Sequence, residues 1–274
     1  MKQLVLMGVR GLLSYLKSCH VIHHAHTNVS GWTFGLDGFS LLYLFKEERD
    51  AFQTYLTTMK TKGSLTVVMD KRAAKEKKQV VEERKEARKE AKAEANALVS
   101  TLACAELDEK QKEILQKAIA QKEKQAWSLY PAYMKWLLEL LETLEIPVIW
   151  ADEEADEVLA AGGYDAVVSS DSDLLILGVR RLWLPRGVGI QHNEVCGDAF
   201  LKLVGLKGDQ LLELSYLAGC DVQPRSLMSV KEAIGRLRFY GSMEALRIRH
   251  PELVSEEDMK AYQALRAGVW RRFS

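Results

Sequence analysis

The sequence predicts an α/β fold around a central, mostly parallel β-sheet flanked by helices. Three β-type runs alternate with helical patterns, and each run leads directly into a carboxylate. Strands that alternate with helices favour a parallel sheet, and functional sites in such sheets form beyond the carboxyl ends of the strands. The runs are Trp32–Leu36 before Asp37, Leu65–Met69 before Asp70, and Tyr164–Ser170 before Asp171 and Asp173.

A fourth β-type run, Ile146–Trp150, stands just before an acidic segment that contains Glu154 and Asp156. Helical patterns fill most of the remaining chain, and residues 198–250 have the pattern of short helices broken by glycine and proline. The other helical patterns cover 38–59, 71–145 and 153–161.

The bulk composition is that of a folded protein and leaves the kind of partner open. Of 274 residues, 47% are apolar and 28% are charged, and the formal net charge is zero. The sequence has no apolar run as long as a membrane span and no signal-peptide pattern. Its four cysteines are scattered, which predicts reduced thiols. We therefore expect an intracellular protein, in the nucleus or the cytoplasm (a viral factory included), with no membrane partner.

The segment 71–130 differs from the rest of the chain. Its first stretch, 71–94, carries ten Lys or Arg and six Glu with no Pro or Gly, which favours helix. A solvated, salt-bridged helix is one interpretation. A functional one stays open, because Lys77, Arg84 and Arg88 recur at i, i+7 and i+11 and so share one helical face.

The carboxylates at the strand ends have the chemistry of a divalent-metal site. Ions such as Mg²⁺ prefer oxygen ligands and keep several waters, so each takes few carboxylates. This many acids suits a pair of ions about 4 Å apart, which can drive an in-line phosphoryl displacement. Asp171 and Asp173 can both face the metals at a strand-to-loop junction. Glu154 and Asp156 diverge at a helix start, so one can bind directly and the other through water.

Six motifs together resemble the structure-specific 5′-nuclease superfamily, which includes flap endonucleases, exonuclease 1 and the xeroderma G nucleases. The resemblance covers roughly residues 7–250, and the motifs stand in the family's order at similar intervals. They are Met7-Gly8-Val9-Arg10-Gly11-Leu12, Leu36-Asp37, Met69-Asp70, Glu154-Ala155-Asp156, Asp171-Ser172-Asp173-Leu174-Leu175 and Gly219-Cys220-Asp221-Val222.

The resemblance implies a PIN-like 5′-nuclease fold and assigns roles residue by residue. Seven acids would hold two Mg²⁺ ions, for which Mn²⁺ can substitute. Lys77 and Arg84 match the family's arch cations and would act on the scissile phosphate. Tyr43 would stack on a base beside the cut, with a core tyrosine as the alternative. Gly8 would lie beside the active site, and Arg88 would contact DNA. The seven acids are Asp37, Asp70, Glu154, Asp156, Asp171, Asp173 and Asp221.

Two further segments correspond to structural elements of the family. Residues 71–130 resemble the helical arch through which a 5′ single strand passes, and 201–250 take the place of the helix–two-turn–helix element that grips duplex DNA. Leu227-Met228-Ser229 has lost both glycines of that element's G-x-G turn, so we expect no K⁺ site and an altered grip. The remaining candidate phosphate contacts are Lys231, Arg236 and Arg238.

These assignments give a single nuclease domain over residues 1–274. Six residues precede Met7-Gly8, which leaves open whether translation starts at Met1 or Met7. The segments are 7–70 (N-terminal nuclease segment), 71–130 (helical arch insertion), 131–200 (internal nuclease segment), 201–250 (duplex-binding region) and 251–274 (C-terminal helix or tail).

Three features receive no functional role. The four histidines between residues 20 and 26 are predicted to be surface residues of a polar loop. The aromatic stripe at 127–136 is spaced helically with leucines and predicts packing. Residues 263–274 lack a sliding-clamp box, because Arg266 stands at the aliphatic position.

The expected function is a Mg²⁺-dependent nuclease that cuts DNA at 5′ flaps or 5′ ends and works as a monomer. A junction resolvase and an RNA-directed nuclease are alternatives on the same scaffold. A catalytically silent nucleic-acid scaffold is an alternative from another class, although all seven acids are present. A metal-dependent phosphatase would leave the basic segment 71–130 unexplained.

Overall fold

The structure is a computed structural model. It describes residues 9–26, 29–46, 48–71, 78–104, 108–128, 131–152, 154–220, 223 and 225–273. The predictions made for Gly8, Lys77 and Asp221 therefore fall outside the described residues.

Within the described residues, seven strands form one sheet. They are β1 (His23–His24), β2 (Trp32–Asp37), β3 (Gly63–Asp70), β4 (Val148–Ala151), β5 (Ala166–Val168), β6 (Arg181–Pro185) and β7 (His192–Cys196). The order across the sheet is β1-β7-β6-β5-β2-β3-β4. The strands from β6 to β4 pair in parallel, and β7 is antiparallel to both of its neighbours. The predicted α/β class with a mostly parallel sheet is confirmed.

Helices connect and flank these strands. They are α1 (Leu12–Ser18), α2 (Gly38–Phe45), α3 (Arg49–Lys62), α4 (Lys78–Cys104), α5 (Glu109–Ala126), α6 (Pro131–Thr143), α7 (Ala155–Ala161), α8 (Asp173–Ile176), α9 (Gly197–Val204), α10 (Asp209–Ala218), α11 (Val230–Tyr240), α12 (Met243–Arg249) and α13 (Glu256–Phe273). The predicted helical patterns contain most of these helices, with breaks that the patterns did not show. Helices α1 and α8 lie outside the patterns, and α13 lies in the segment predicted as a C-terminal helix or tail.

Two elements differ from the sequence patterns in their limits. The pattern at 38–59 forms two helices, because Lys46 takes a positive φ of 48° and ends α2. The run predicted as a strand over 164–170 is a strand only at Ala166–Val168. The Ser169 N–H still donates to the Trp183 carbonyl oxygen of β6, and the side chains of Ser169 and Ser170 bond to residues of the β2–α2 junction.

The antiparallel edge of the sheet was not predicted. Strands β6 and β7 form a hairpin that is closed by the bond from the Arg186 N–H to the carbonyl oxygen of Gln191. Gly187 turns the chain there with φ +66°. His23 and His24, predicted to lie in a loop, form the short strand β1 against β7, although both remain exposed as expected.

The chain divides into two compact units. The second unit, Lys77–Lys135, overlaps the predicted segment 71–130 and contains α4 and α5. These two helices pack against each other, and their buried residues are Ala91, Ala95 and Ile119. The first unit contains the sheet, on which the rings of Phe34 and Trp183 pack in a tilted arrangement. Among the described helices, none is long and apolar enough to cross a bilayer.

A carboxyl group is buried between the helices of the first unit. Glu213 of α10 is 6% exposed, and its Oε2 has no hydrogen-bond partner among the described residues. Burial raises the pKa of Glu213 to about 7, with a further increase from Asp209 and opposing contributions from the Met243 N–H and Arg266. Charge at Glu213 is therefore unfavourable in the folded state.

Replacement of Glu213 by Gln should stabilise the protein at alkaline pH and not at acid pH. The ordinary pKa of this glutamate is 4.5. Below pH 4.5 the carboxyl is neutral in both the folded and the unfolded protein, and its contribution to stability is complete. As the pH rises through about 7 that contribution is lost, because the buried carboxyl must then carry a charge in the folded protein. Urea unfolding at pH 8 should give the variant an advantage of about 1–3 kcal/mol, which vanishes near pH 4.5. A variant less stable than wild type at pH 8 would contradict this account.

Candidate metal centre

Two parallel strands of the sheet each end in an aspartate. Asp37 is the last residue of β2 and Asp70 the last residue of β3, and the register pairs Asp37 with Val68. On its other side β2 pairs with β5, where Leu36 stands opposite Val168. The chain that follows Val168 therefore leaves the sheet beside Asp37. The predicted convergence of acids at this edge is what the strand register produces.

Asp37 is held by the two segments that flank it. Its Oδ1 accepts a bond of 2.9 Å from the Ser40 N–H and so caps the N-terminus of α2. Its Oδ2 accepts a bond of 2.7 Å from the Ser169 hydroxyl. Gly38 begins α2 so close to β3 that a Cβ would lie 2.7 Å from Met69 Cγ. A glycine at this position lets the aspartate and its helix meet the strand end.

Ser169 links the aspartates of two different strands. Its hydroxyl donates to Asp37 and accepts a bond of 3.0 Å from the Asp171 N–H, and the side chain is fully buried. Asp171 Oδ1 in turn accepts from the Asp173 N–H at 2.9 Å. Sequence reasoning missed Ser169. The only signal was a small polar residue at the end of an apolar run.

Crowding of like charges is visible at Asp37. Burial raises the pKa of this carboxyl to about 6, and the negative charges of Asp171 and Asp70 raise it further, against the bonds from Ser40 and Ser169 that lower it. The carboxylates of β2, β3 and the β5–α8 loop therefore lie within electrostatic reach of one another. A cation at this edge would relieve the repulsion.

The acidic pair after β4 joins the same edge through α7. Asp70 Oδ1 accepts a bond of 2.6 Å from the Ala155 N–H, at the start of α7. Glu154 is the N-cap residue of α7 and Asp156 lies in its first turn, and both are buried. The Asp70 carboxylate therefore lies at the start of α7, the helix end that carries both acids of the Glu154-Ala155-Asp156 motif.

The N-terminal segment closes the site from another side. Asp173, at the start of α8, is 0% exposed, and its Oδ1 accepts a bond of 2.5 Å from the Val9 N–H. The next N–H, of Arg10, donates to the carbonyl oxygen of Gly219 at 3.0 Å. This contact brings the Gly219-Cys220 loop, which precedes the undescribed Asp221, to the segment that touches Asp173. A cavity of about 340 Å³ opens here, lined by Val9, Gly11, Leu13, Ser14, Ser170, Asp171 and Ser172.

The donor set fits a hard divalent cation by charge and ligand type. Six of the seven predicted acids are described, and their elements meet at one edge of the sheet. Among the described residues, no three of them already surround one point as the ligands of an ion would. Each of four aspartates instead uses one oxygen to accept a bond from a backbone N–H. Carboxylates held in this way suit ions that take few carboxylates and keep their waters.

The predicted cations of the second unit are described only in part. Arg84 lies in α4 without a described side chain, and Arg88 is half-buried in the same helix. Other charges of α4 form ion pairs one turn apart, for example between Lys85 and Glu82. The interpretation as a salt-bridged helix therefore holds for these described residues, and the roles of Lys77, Arg84 and Arg88 stay predictions.

Tyr43 lies on the outer side of α2, where it is 40% exposed. The apolar neighbours Leu41, Leu42 and Phe45 carry the buried face of that helix. Its position as an exposed aromatic next to the Asp37 helix start is compatible with stacking and does not match a fully buried core tyrosine.

Three cations were predicted to bind duplex DNA. Two of them form hydrogen bonds within the protein, and the third is exposed. Lys231 is exposed on α11. Arg236 donates two bonds to Glu232, at 2.8 and 3.0 Å. Arg238 donates to the carbonyl oxygens of Val204 and Leu203 at the end of α9. A phosphate contact by Arg236 or Arg238 would have to compete with these bonds.

The altered turn is filled by its side chains. Met228 is 7% exposed and belongs to the core, and the N–H groups of Leu227 and Met228 both donate to the Leu217 carbonyl oxygen. Ser229 caps α11 by accepting from the Glu232 N–H. The loss of both glycines therefore has a structural use, because the turn holds α11 against α10.

No model of a known protein family matches the chain. A stretch of 125 residues is 31% identical to flap endonuclease 1 of Sulfurisphaera tokodaii. That stretch is 39% of this chain and 36% of the length of the relative, so the chain matches about a third of the curated protein.

Solved structures match much more of the chain at lower identity. Human GEN1 in complex with Holliday junction DNA has a TM-score of 0.57 at 18% identity, over 95% of this chain and 63% of GEN1. The catalytic core of Rad2 with a DNA substrate has a TM-score of 0.61 at 15% identity, over 97% and 81% of the two chains. Flap endonuclease-1 of Methanococcus jannaschii has a TM-score of 0.57 at 17% identity, over 89% and 81%.

These likenesses show the PIN-like fold of the structure-specific 5′-nucleases. Within that class, flap endonuclease 1, GEN1 and Rad2 are proteins that this chain resembles, and the resemblance predicted from the motifs is confirmed.

Mg²⁺ should stabilise the protein in the absence of DNA. With 10 mM Mg²⁺ at pH 7.5 we expect a rise of about 2–4 °C in Tm, because ions bound only by the folded state shift the unfolding equilibrium. The rise should shrink at pH 5, where a proton on Asp37 competes, since its pKa is about 6. Asp171→Asn should abolish the rise, and Asp198→Asn, an exposed control on α9, should keep it. An equal rise in Asp171→Asn would refute this site.

Proposed function

We propose that this protein is a Mg²⁺-dependent, structure-specific nuclease that hydrolyses phosphodiester bonds of DNA at 5′ flaps or 5′ ends. The observation that carries the proposal is the meeting of acids from β2, β3, α7 and the β5–α8 loop, with the pKa of Asp37 raised to about 6. The likeness in fold to nucleases whose structures contain DNA supports the same substrate class.

The carboxylates would hold two divalent ions, Mg²⁺ or Mn²⁺, and Asp221 would complete the set of seven. Bound there, the ions would activate a water and stabilise the leaving oxygen in an in-line displacement, which leaves a 5′-phosphate. The chain's own contribution is positioning. Ser169 fixes Asp37 relative to Asp171, and the Ala155 and Val9 N–H groups fix Asp70 and Asp173.

The remaining parts of the machinery are proposed from the motif register. Lys77 and Arg84 would neutralise charge that develops on the scissile phosphate, since preorganised cations act most strongly on the transition state. Tyr43 would stack on a base beside the cut, as its exposure allows. Gly8 and Arg88 would contact the DNA strand, and Lys231 the duplex backbone. We propose no K⁺ at the 227–229 turn.

A junction resolvase is the second candidate. The likeness to GEN1 in complex with Holliday junction DNA is the observation that favours it. Four-way junctions need two incisions, so this activity would require two copies of the chain on one junction, whereas flap cleavage would require one. An RNA-directed nuclease and a silent DNA-binding scaffold are further outcomes of the same assays.

Asp173→Asn should abolish cleavage while the protein still binds DNA. The substitution keeps the acceptor for the Val9 N–H and removes the negative charge. End-labelled 5′-flap, nicked, blunt and four-way substrates, with Mg²⁺ or with a chelator, would show the rate and the position of the cut. Asp198→Asn should cut as wild type does. Cleavage by Asp173→Asn at the wild-type rate would contradict the assignment of nuclease activity to this site.

Lys77→Ala should slow the chemical step by about 10²–10³-fold with little change in DNA affinity, because its charge is proposed to act on the transition state. Single-turnover rates and binding isotherms measure the two effects separately. Lys85→Ala, which removes a cation paired with Glu82 in the same helix, is the control and should leave the rate unchanged. A loss of affinity without a loss of rate would show that Lys77 only holds the DNA.

A further inference from the structure

A second cavity lies on the β1–β7–β6 side of the sheet, and none of its described lining residues lines the cavity at the acids. It has a volume of about 380 Å³ and is built from the β1 segment, the end of α3 and the β6–β7 hairpin. Lys62, which lines it, immediately precedes β3, whereas Asp70 ends that strand. A rise of about 3.3 Å per residue over these eight steps puts the two roughly 25 Å apart. The lining residues are His24, Ala25, His26, Lys62, Trp183, Arg186, Ile190, Gln191 and His192.

The charged groups of this cavity are cations. Lys62 and Arg186 line it, and none of its described lining residues carries a carboxylate. Neither cation forms an ion pair with a residue in the described part of the chain. Two cations that converge on one cavity favour an anionic ligand, and a guanidinium with an ammonium suits phosphate oxygens.

Neighbouring rings hold the two cations in place. The Lys62 ammonium lies 5.7 Å from the ring centroid of Trp183. Arg186 Nη1 donates to His24 Nδ1 at 3.2 Å, which orients the guanidinium. Neither contact is with a carboxylate, so each cation keeps its charge for a ligand.

The wall beneath the cations is preformed and neutral. His192 is buried, and its ring centroid lies 5.0 Å from that of Trp183. The pKa of His192 is lowered to about 4, mainly by burial and then by the charge of Lys62. A hydrogen bond of 2.9 Å joins His192 Nε2 and the Tyr55 hydroxyl and fixes the imidazole as a wall of the cavity.

The lining also has an apolar part. Ile190, at the tip of the β6–β7 hairpin, is 45% exposed, and Ala25 lines the cavity as well, whereas Trp183 is fully buried. A ligand that fills the cavity therefore needs a flat or apolar part as well as a charged one. The volume is that of a small-molecule site.

We propose that this cavity binds a nucleoside monophosphate, with its phosphate between Lys62 and Arg186 and its base against Ile190 and Ala25. The site is separate from the metal centre and does not rest on the proposed nuclease activity. It also gives the histidine-rich segment, predicted only to be on the surface, a role as a wall of a binding site.

Histidine side-chain NMR of the full chain, titrated with AMP in the presence of a chelator, tests this proposal. The chain has six histidines, which provide internal controls. The signals of His24 and His26 should shift on titration, whereas those of His20 and of His250, which bonds to Tyr240, should not. Adenosine and inorganic phosphate should each bind at least about tenfold more weakly than AMP, since each lacks one half of the ligand.

Substitutions of the two cavity cations, with matched controls, show whether these residues bind AMP. Lys62→Gln and Arg186→Gln should each raise the Kd for AMP about tenfold, as expected for the loss of one charge-assisted contact, and should leave DNA cleavage unchanged. Lys202→Gln and Arg249→Gln, which alter exposed cations elsewhere, should keep the wild-type Kd. Unchanged AMP affinity in both cavity variants, or no shift of His24 and His26 at about 10 mM AMP, overturns the proposal. Tighter binding of an unphosphorylated oligonucleotide than of AMP at the same histidines would also overturn it.

Discussion

Electrostatic repulsion among carboxylates at one sheet edge is the constraint on which the site depends. The parallel register of β2, β3 and β5 places their carboxyl ends side by side, so Asp37, Asp70 and Asp171 cannot avoid one another. The pKa of Asp37 is raised first by burial and then by the negative charges of Asp171 and Asp70. A cation bound beside these acids would favour the charged form of Asp37.

The hydrogen bonds around the acids hold the carboxylates in a fixed geometry. Backbone N–H groups of three separate segments, at Val9, Ser40 and Ala155, each hold one aspartate oxygen. Ser169 joins two strands through one hydroxyl. A metal site needs ligands that do not have to be reordered when the ion arrives, and second-layer bonds of this kind supply that order. The same contacts explain why the N-terminal segment and the β5–α8 loop belong to the site.

Much of this could be predicted from the sequence, because an apolar run that ends in an aspartate is a local signal and parallel strands end at the same edge. The bond between Val9 and Asp173 could not, since it joins residues 164 positions apart and involves a backbone N–H that any residue supplies. The β6–β7 hairpin was missed for another reason. Pro185 and the polar residues of β7 hide its strand pattern, and only pairing at the sheet edge stabilises it. The cavity beside His24 depends on that hairpin and was missed with it.

The most direct test of the account is the number of divalent ions at the sheet edge. Crystals soaked in Mn²⁺, with anomalous scattering recorded at the manganese edge, would show each bound ion and its ligands. The account predicts two sites, bridged by carboxylates from Asp37, Asp70 and the Asp171–Asp173 loop, and the loss of at least one in Asp70→Asn crystals. Manganese bound elsewhere on the protein, with none among these acids at saturating concentration, would contradict it.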